Sequence, residues 1–281
     1  MVMVFLFALL ETTAKSLSED YSIPLIVWFR YVTHCLLMVV LLGPRYGLRL
    51  VKTKNLPAQL VRAALLMGST LFYFTALSEM PLAIAKSISF VAPLLVTVFA
   101  FWLLKENVGI NRWVAVFVGF MGVLLIVNPV GSFNWYFLFP VVAATCYSLY
   151  QIMTRRFSEE EHPVTTLFYT ALVGALLISF AVPWFWQIPD AADLPKFLFL
   201  GFAGGFGHFM LIKAMGLEDA SFLSPLTYVQ LLWVTFFGFV VFGDFPDLRG
   251  LIGMTIIVGA GLYVVANRKA RKSELPVATS N

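Results

Sequence analysis

The groups in this sequence with chemistry to offer lie inside runs of apolar residues. Lys86 stands in P-L-A-I-A-K-S-I-S-F-V-A-P-L, a stretch that runs from Pro81 and stays apolar to Leu104. An ammonium at membrane depth costs about 2.5–3.5 kcal/mol, less near an interface. In a functional role it would hold a substrate carboxylate or form part of an outer gate. The plain alternative is that it snorkels to the surface or pairs with Glu79, Glu19 or Asp20. Ser89, Phe90 and Pro93 follow at helical spacing on the same face. Pro93 has no N–H for the carbonyl of Ser89, so this point is a hinge or a packing kink.

In the first apolar run Glu11 precedes Lys15 by four residues, the favourable order for a helical ion pair. Such a pair would account for both charges, although Glu11 is also a possible proton-coupling group. His208 follows G-F-A-G-G-F-G, where glycines let a backbone or a ligand come close. It would bond a ligand, titrate near neutral pH, or simply bond a neighbouring carbonyl. Ser221, Ser224, Pro225 and Tyr228 occupy a later run that resembles the one around Lys86, with Pro225 a second hinge candidate. Tyr73, and Tyr147 with Ser148 and Gln151, are polar-tipped residues of the kind that line a cavity. The candidate substrate cavity is therefore Lys86, Ser89, Phe90, Tyr73, Tyr147, Gln151, His208, Ser224 and Tyr228, with Glu11 and His208 as candidate proton carriers.

These residues have to be positioned by membrane helices. The 281 residues are 60% hydrophobic and 12% charged, with a mean hydropathy of +0.88. This composition leaves too little polar surface for a soluble domain. The apolar runs are long and continuous, unlike the alternating strands of a membrane barrel. Ten spans can be marked, at roughly 1–18, 24–43, 58–78, 81–104, 110–128, 134–154, 164–186, 195–215, 219–242 and 248–267. The first lacks a basic start and a cleavage site, so it reads as a span rather than a signal peptide. With a cytoplasmic N-terminus, all but five of the 19 Lys and Arg residues fall on the inner side, the exceptions being Lys15, Arg30, Lys86, Lys196 and Arg249. Both termini are then cytoplasmic. The basic pI near 9.1 is explained by those loops and does not call for nucleic acid. Cys35 and Cys146 fall within spans and suggest neither a disulfide framework nor a metal site.

A repeat organises the ten spans. A shift of 138 positions lays Lys86 on Ser224, Phe90 on Tyr228, Thr97 on Thr235 and Glu106 on Asp244. With one loop residue dropped, Arg112 falls on Arg249 and Gly122 on Gly259. Five spans per unit is an odd number, so the second unit crosses the membrane in the opposite sense. The expected fold is an all-α polytopic membrane protein, with ten transmembrane helices as two inverted five-helix repeats around a central cavity. The units are 1–129 and 130–267, followed by a polar cytoplasmic tail, 268–281. Gly119, Gly122, Gly250, Gly253, Gly259 and Gly261 read as tight packing surfaces, within the chain or between two copies.

The segments E-M-P-L-A-I-A-K-S-I-S-F-V-A-P-L through L-L-K-E-N-V-G-I-N-R-W-V-A-V-F-V-G-F-M-G-V-L-L-I, and their counterparts L-E-D-A-S-F-L-S-P-L through F-G-D-F-P-D-L-R-G-L-I-G, resemble the drug/metabolite transporter superfamily. Within it the chain is most similar to ten-helix exporters with two EamA-type repeats, and to bacterial inner-membrane amino-acid exporters of the YddG type. The resemblance implies a basket of helices whose fourth and ninth members line the cavity, and export of amino acids and related metabolites with little selectivity. The phosphate-sugar translocators of the same superfamily carry basic residues on the ninth helix. Leu217 to Leu248 holds no Lys or Arg, which argues against a dianionic phosphate.

The reading is a secondary transporter working by alternating access on a small-molecule substrate in the lipid bilayer of the inner membrane, as a monomer or weak homodimer. No cofactor is implied, and no P-loop is present for direct use of ATP. A proton-coupled multidrug exporter of lipophilic cations is the alternative, and it would favour a buried acid over a buried lysine. An intramembrane enzyme would need a paired acid, a Ser/Lys or Ser/His arrangement or a metal cluster. The three histidines are scattered and the acids lie mostly at the ends of spans.

Overall fold

The computed structural model describes residues 1–127 and 135–273, with the backbone alone at 127, 224, 225, 264, 265 and 267–273. All regular structure among the described residues is helical. The helices are α1 (Val2–Leu17), α2 (Ile23–Tyr46), α3 (Leu56–Glu79), α4 (Leu82–Ser89), α5 (Ala92–Leu103), α6 (Ile110–Val127), α7 (Leu138–Arg156), α8 (Pro163–Ser179), α9 (Leu194–Leu217), α10 (Ala220–Leu223), α11 (Gln230–Phe242) and α12 (Leu248–Ser273). Six stretches are long and apolar enough to cross a membrane: Ile23–Leu50, Leu56–Glu79, Leu82–Leu103, Trp135–Arg156, Leu194–Leu217 and Ala220–Phe242. Shorter apolar helices cover Ile110–Ile126, Pro163–Ser179 and Leu248–Tyr263. Apolar side chains such as Phe117, Leu176, Phe202, Phe236 and Val240 face outward, as a lipid solvent permits. Trp102, Trp135, Trp184 and Trp186 are exposed near helix ends, where an aromatic belt would lie.

Local chemistry sets the boundaries. The Asn55 side chain accepts a hydrogen bond from the Ala58 amide at 3.2 Å and caps α3. Pro57, Pro163 and Pro195 sit in first turns, where their missing N–H has no helical partner to lose. Gly243 ends α11 with φ of 70°, a conformation that only glycine adopts without strain. The helix expected over 81–104 is two helices. The chain turns at Phe90–Val91, with the Val91 amide reaching back to the Ile88 carbonyl at 3.1 Å, and resumes with Pro93 in the first turn of α5. The run expected over 219–242 is also interrupted: 3₁₀ turns over Ser224–Val229 separate α10 from α11. The side chains of Ser224 and Pro225 lie outside those described.

Helix packing follows a regular scheme. α3 packs on α7 and α1 on α9; α2 packs on α9 and α3 on α8; α5 packs on α7 and α1 on α11. α2 meets α8, and α6 meets α12. At the last seam Gly122 and Gly253 face each other. A Cβ on Gly122 would lie 2.9 Å from the Gly253 carbonyl oxygen, and one on Gly253 would lie 2.5 Å from Ile126 Cγ1. Gly259, which the repeat aligns with Gly122, has nothing within 4 Å of such a Cβ.

Two expectations change. Glu11 and Lys15 do not pair. Lys15 Nζ donates to the carbonyls of Leu77 (3.2 Å) and Met80 (2.9 Å), satisfying acceptors that the end of α3 leaves open. Arg62, counted among the inner-surface charges, is 2% exposed within α3. α12 runs on to Ser273, into the stretch expected to be the polar tail; residues 274–281 lie outside the described ones.

Polar contacts secure both ends of α9. At its start, Tyr21 donates to Asp193 at 2.9 Å and Lys196 donates to Asp193 at 2.7 Å. The Lys196 ammonium and then the Tyr21 hydroxyl hold the Asp193 carboxyl below its usual range. Beyond its other end, Glu106 accepts from the amides of Ala220 (3.1 Å) and Ser221 (3.2 Å) and from the Ser221 hydroxyl (2.6 Å), and Arg112 also bonds that hydroxyl.

Substitution at the α6–α12 seam tests this packing. Gly122→Val and Gly253→Val are each expected to destabilise by about 1–3 kcal/mol, because the intruding methyls meet backbone and branched side chains. Gly259→Ala is expected to be neutral. Thermal unfolding of the detergent-solubilised protein measures all three.

Candidate functional site

The helices line a partly open central cavity of about 110 Å³. Its polar lining includes Glu11, Arg30, Ser69, Thr70, Tyr73, Lys86, Ser89, Tyr147, Gln151, His208, Thr227 and Gln230. Phe7, Phe74, Phe90 and Pro93 supply apolar wall. α1, α3 and α7 each contribute several residues of one helical face, α2 and α9 contribute Arg30 and His208 alone, and the interrupted α4–α5 and α10–α11 runs contribute residues at and beside their breaks. An interruption of this kind is tolerated at membrane depth only where backbone lines a cavity or is buried in protein.

One end of the cavity is organised by Glu11. Its Oε1 accepts from Lys86 Nζ at 2.6 Å and from Gln230 Nε2 at 2.9 Å. Its Oε2 accepts from the Tyr73 hydroxyl at 3.2 Å. Lys86 is 9% exposed and therefore neither snorkels nor reaches Glu79, Glu19 or Asp20. Its Nζ also lies 5.4 Å from the Tyr73 ring centroid and 5.6 Å from that of Phe90. A buried ammonium and carboxylate at this distance compensate each other, with two further donors completing the acid. Glu11 is the one acid among the cavity's described lining residues.

A second polar group is centred on Arg30, which is 5% exposed. Its Nη1 donates to Thr70 Oγ1 at 3.0 Å, and its Nη2 meets His208 Nε2 at 3.2 Å. As guanidinium nitrogens only donate, His208 Nε2 is the acceptor in that contact. The other ring nitrogen, Nδ1, is 3.5 Å from the Tyr150 hydroxyl. The glycine row before His208 seats this group: a Cβ on Gly204 would approach Arg30 Nε to 3.1 Å, and one on Gly207 would overlap the Phe7 ring. The rings of Phe7 and Tyr147 flank His208 with centroids at 5.0 and 6.4 Å.

Tyr150 links this group to a second cavity of about 250 Å³, lined by Asn55, Gln59, Arg62, Glu161, Thr166 and Lys213 among others. The Arg62 guanidinium carbon lies 5.2 Å from the Tyr150 ring centroid. Arg62 donates to Gln59 Oε1 (3.0 Å), Thr170 Oγ1 (2.7 Å) and the Thr166 carbonyl. Glu161 is held by Thr53 Oγ1 and by the amides of Lys54 and Asn55.

Of the residues expected to line a cavity, the structure brings Lys86, Ser89, Phe90, Tyr73, Tyr147, Gln151 and His208 together, with Glu11 and Pro93 beside them. Tyr228 does not join them. It packs edge-on to Phe90 at 5.1 Å, in a cluster with Val123, Leu231, Met254 and Ile257, and only its neighbours Thr227 and Gln230 reach the cavity. Ser224 and Pro225 have no described side chains to place. Of the remaining histidines, His34 is buried against Gly205, and His162 Nδ1 accepts from the Val164 amide at 3.3 Å. Among the described residues no group of three or more His, Cys, Asp or Glu side chains is placed to hold a metal ion. Arg30 and Thr70 line the cavity without being among the expected residues. The property that singles out Lys86, a cation inside an apolar run, is shared by Arg30 and is the signal in the sequence that points to it.

Comparison with known proteins gives a consistent picture. The EamA-like transporter family matches residues 1–128 and 134–266. An S-adenosylmethionine uptake transporter of Rickettsia bellii is 31% identical over 82% of this chain and 79% of its own. A riboflavin transporter of Vibrio cholerae is 29% identical over 95% of this chain and 92% of its own, and a pseudopaline exporter of Pseudomonas aeruginosa is 24% identical over 94% of each. A solved crystal structure covering 98% of this chain and 99% of its own superposes with a TM-score of 0.72 at 21% identity, which shows a shared fold. A many-helix bundle with lipid-compatible faces and a charge-bearing central cavity fits that company. The chain is a membrane transporter of small metabolites and belongs to the EamA-like transporter family.

Proposed function

We propose that the chain carries amino acids and related zwitterionic metabolites across the bacterial inner membrane by alternating access, exporting them when their internal concentration is higher. The observation that carries this reading is the Glu11–Lys86 ion pair in the cavity wall. A site that already holds one carboxylate and one ammonium presents both complements of a zwitterion in a low-dielectric enclosure. The amino-acid portion of S-adenosylmethionine, the compound named for the Rickettsia relative, has the same two groups. Relatives named for uptake and for export stand side by side, as expected of carriers whose net flux follows the substrate gradient.

Alternating access is supported by the packing scheme. In the reading of ten spans as two inverted units, 1–129 and 130–267, α1 corresponds to α7, α2 to α8, α3 to α9, α4–α5 to α10–α11, and α6 to α12. Exchanging partners turns the α3–α7 contact into α9–α1, α2–α9 into α8–α3, and α5–α7 into α11–α1. Each of those contacts exists. A two-fold scheme of this kind lets either unit rock against the other around one site. The basic residues of the connecting segments support cytoplasmic termini.

A proton-coupled variant of this function is the second reading. It is favoured by Glu11 being the cavity's only described acid, with His208 on the same cavity. An imposed pH gradient that speeds flux in the wild type but not in Glu11→Gln supports it. Export of lipophilic cations is less well matched, since Lys86 and Arg30 line the cavity against one acid.

Paired substitutions separate structure from transport. Glu11→Gln or Lys86→Met alone leaves the other charge buried without its partner, with an expected loss of about 3–5 kcal/mol in stability. The double variant is expected to recover most of that stability and still to move no amino acid in proteoliposome counterflow. A double variant with full transport refutes the role of the pair. A reporter fused after Asn281 is expected to be active only in its cytoplasmic form, and periplasmic activity overturns the orientation.

A further inference from the structure

We infer that Arg30 is the seat of the substrate's carboxylate, which makes the carrier selective for substrates with a free carboxylate over their amides and esters. The inference rests on the central cavity being the substrate site and names the group that the site reads. Three observations support it. Arg30 lines the cavity and is buried, yet among the described residues no acid pairs with it. Its guanidinium donates to a threonine hydroxyl and a histidine nitrogen, both neutral, and its Nε, packed against Gly204 of α9, has no hydrogen-bond partner among the described residues. The Tyr31 ring, 4.7 Å away, offers only a weak counter-potential.

The other buried cations are provided for differently. Lys86 has the Glu11 carboxylate. Lys15 has two carbonyls. Arg62 bonds an amide oxygen twice, a carbonyl and a hydroxyl. Arg30 makes only two such contacts out of five N–H donors, next to open space. A planar guanidinium is suited to a carboxylate, which it can grip with two parallel hydrogen bonds. Among the charged residues of the cavity wall, Glu11 is paired with Lys86, and Arg30 is the cation left without a carboxylate. A substrate carboxylate would supply that counter-charge locally. Thr70 and His208 hold the guanidinium in place, as positioning residues.

The probe pair is L-methionine and L-methioninamide, compared at a mildly acidic pH at which both amines are protonated, so that they differ in charge only at the carboxyl. Thermal unfolding and proteoliposome counterflow are measured on the wild type, Arg30→Gln and Arg30→Lys. Methionine is expected to stabilise the wild type, and methioninamide to bind at least about tenfold more weakly, the loss of one charge-assisted contact. Arg30→Gln is expected to abolish that discrimination, and Arg30→Lys to keep its sign while weakening methionine by about tenfold. Unchanged discrimination in Arg30→Gln, or unchanged methionine affinity in Arg30→Lys, overturns the inference. A wild type that responds to no amino acid refutes the proposed function instead. In that case ligand-free unfolding still decides about Arg30. An uncompensated charge predicts a higher midpoint for Arg30→Gln than for the wild type, and a purely structural tie to Thr70 and His208 predicts a lower one.

Discussion

Water is absent from the hydrocarbon layer, so each polar group that enters it has to be matched by the protein itself. The arrangement of this bundle can be understood from that constraint. A carboxylate from α1 meets an ammonium from α4, an amide from α11 and a phenol from α3. The four residues are spread across the chain, and their common meeting point fixes how those four helices approach each other. Lys15 applies the same constraint at the end of α3 and Arg62 applies it within α3, each using carbonyl oxygens that a helix leaves open or can share. Burial of charge therefore works here as a set of long-range ties between helices that otherwise present each other little but methyl groups and rings.

Glycine makes those ties reachable. The row on α9 gives up side-chain volume so that Arg30, Thr33, His34 and Phe7 can press against its backbone. Gly122 and Gly253 do the same at the α6–α12 seam. In a membrane, where lipid tails are as apolar as leucine, close backbone approach supplies dispersion contact that the hydrophobic effect does not. The two breaks, at Phe90–Val91 and over Ser224–Val229, then place loose backbone next to the cavity rather than next to lipid.

Much of this was legible in the sequence, and the illegible part has a physical cause. The helical, lipid-compatible character of the chain follows from its apolar runs, the family from the motifs around Lys86 and their later counterparts, and most of the residues found on the central cavity from the polar groups that interrupt those runs. Partner choice does not. Glu11 lies four residues from Lys15 and 75 from Lys86, and local spacing favoured the nearer lysine; the packing of α1 against α3, α4 and α11 decided for the farther one. Tyr228 was placed on the cavity by its repeat match to Phe90. The repeat conserves position along a helix but not which face turns inward, and a span that is apolar all round carries no periodicity to say so. Arg30 and Arg62 were treated as counts in a charge balance, which records sign and leaves out burial.

The saturation of Glu11 has a kinetic meaning. Its two oxygens already accept three hydrogen bonds, one from a cation. On the proposed reading, a ligand ammonium arriving there would exchange one good contact for another and gain only the difference, so the free-energy well at that end would be shallow. Shallow wells empty quickly. A receptor would be poor with such a site, whereas a carrier that has to release its cargo on every cycle benefits, because the dwell time of a bound molecule limits how often the cycle can turn.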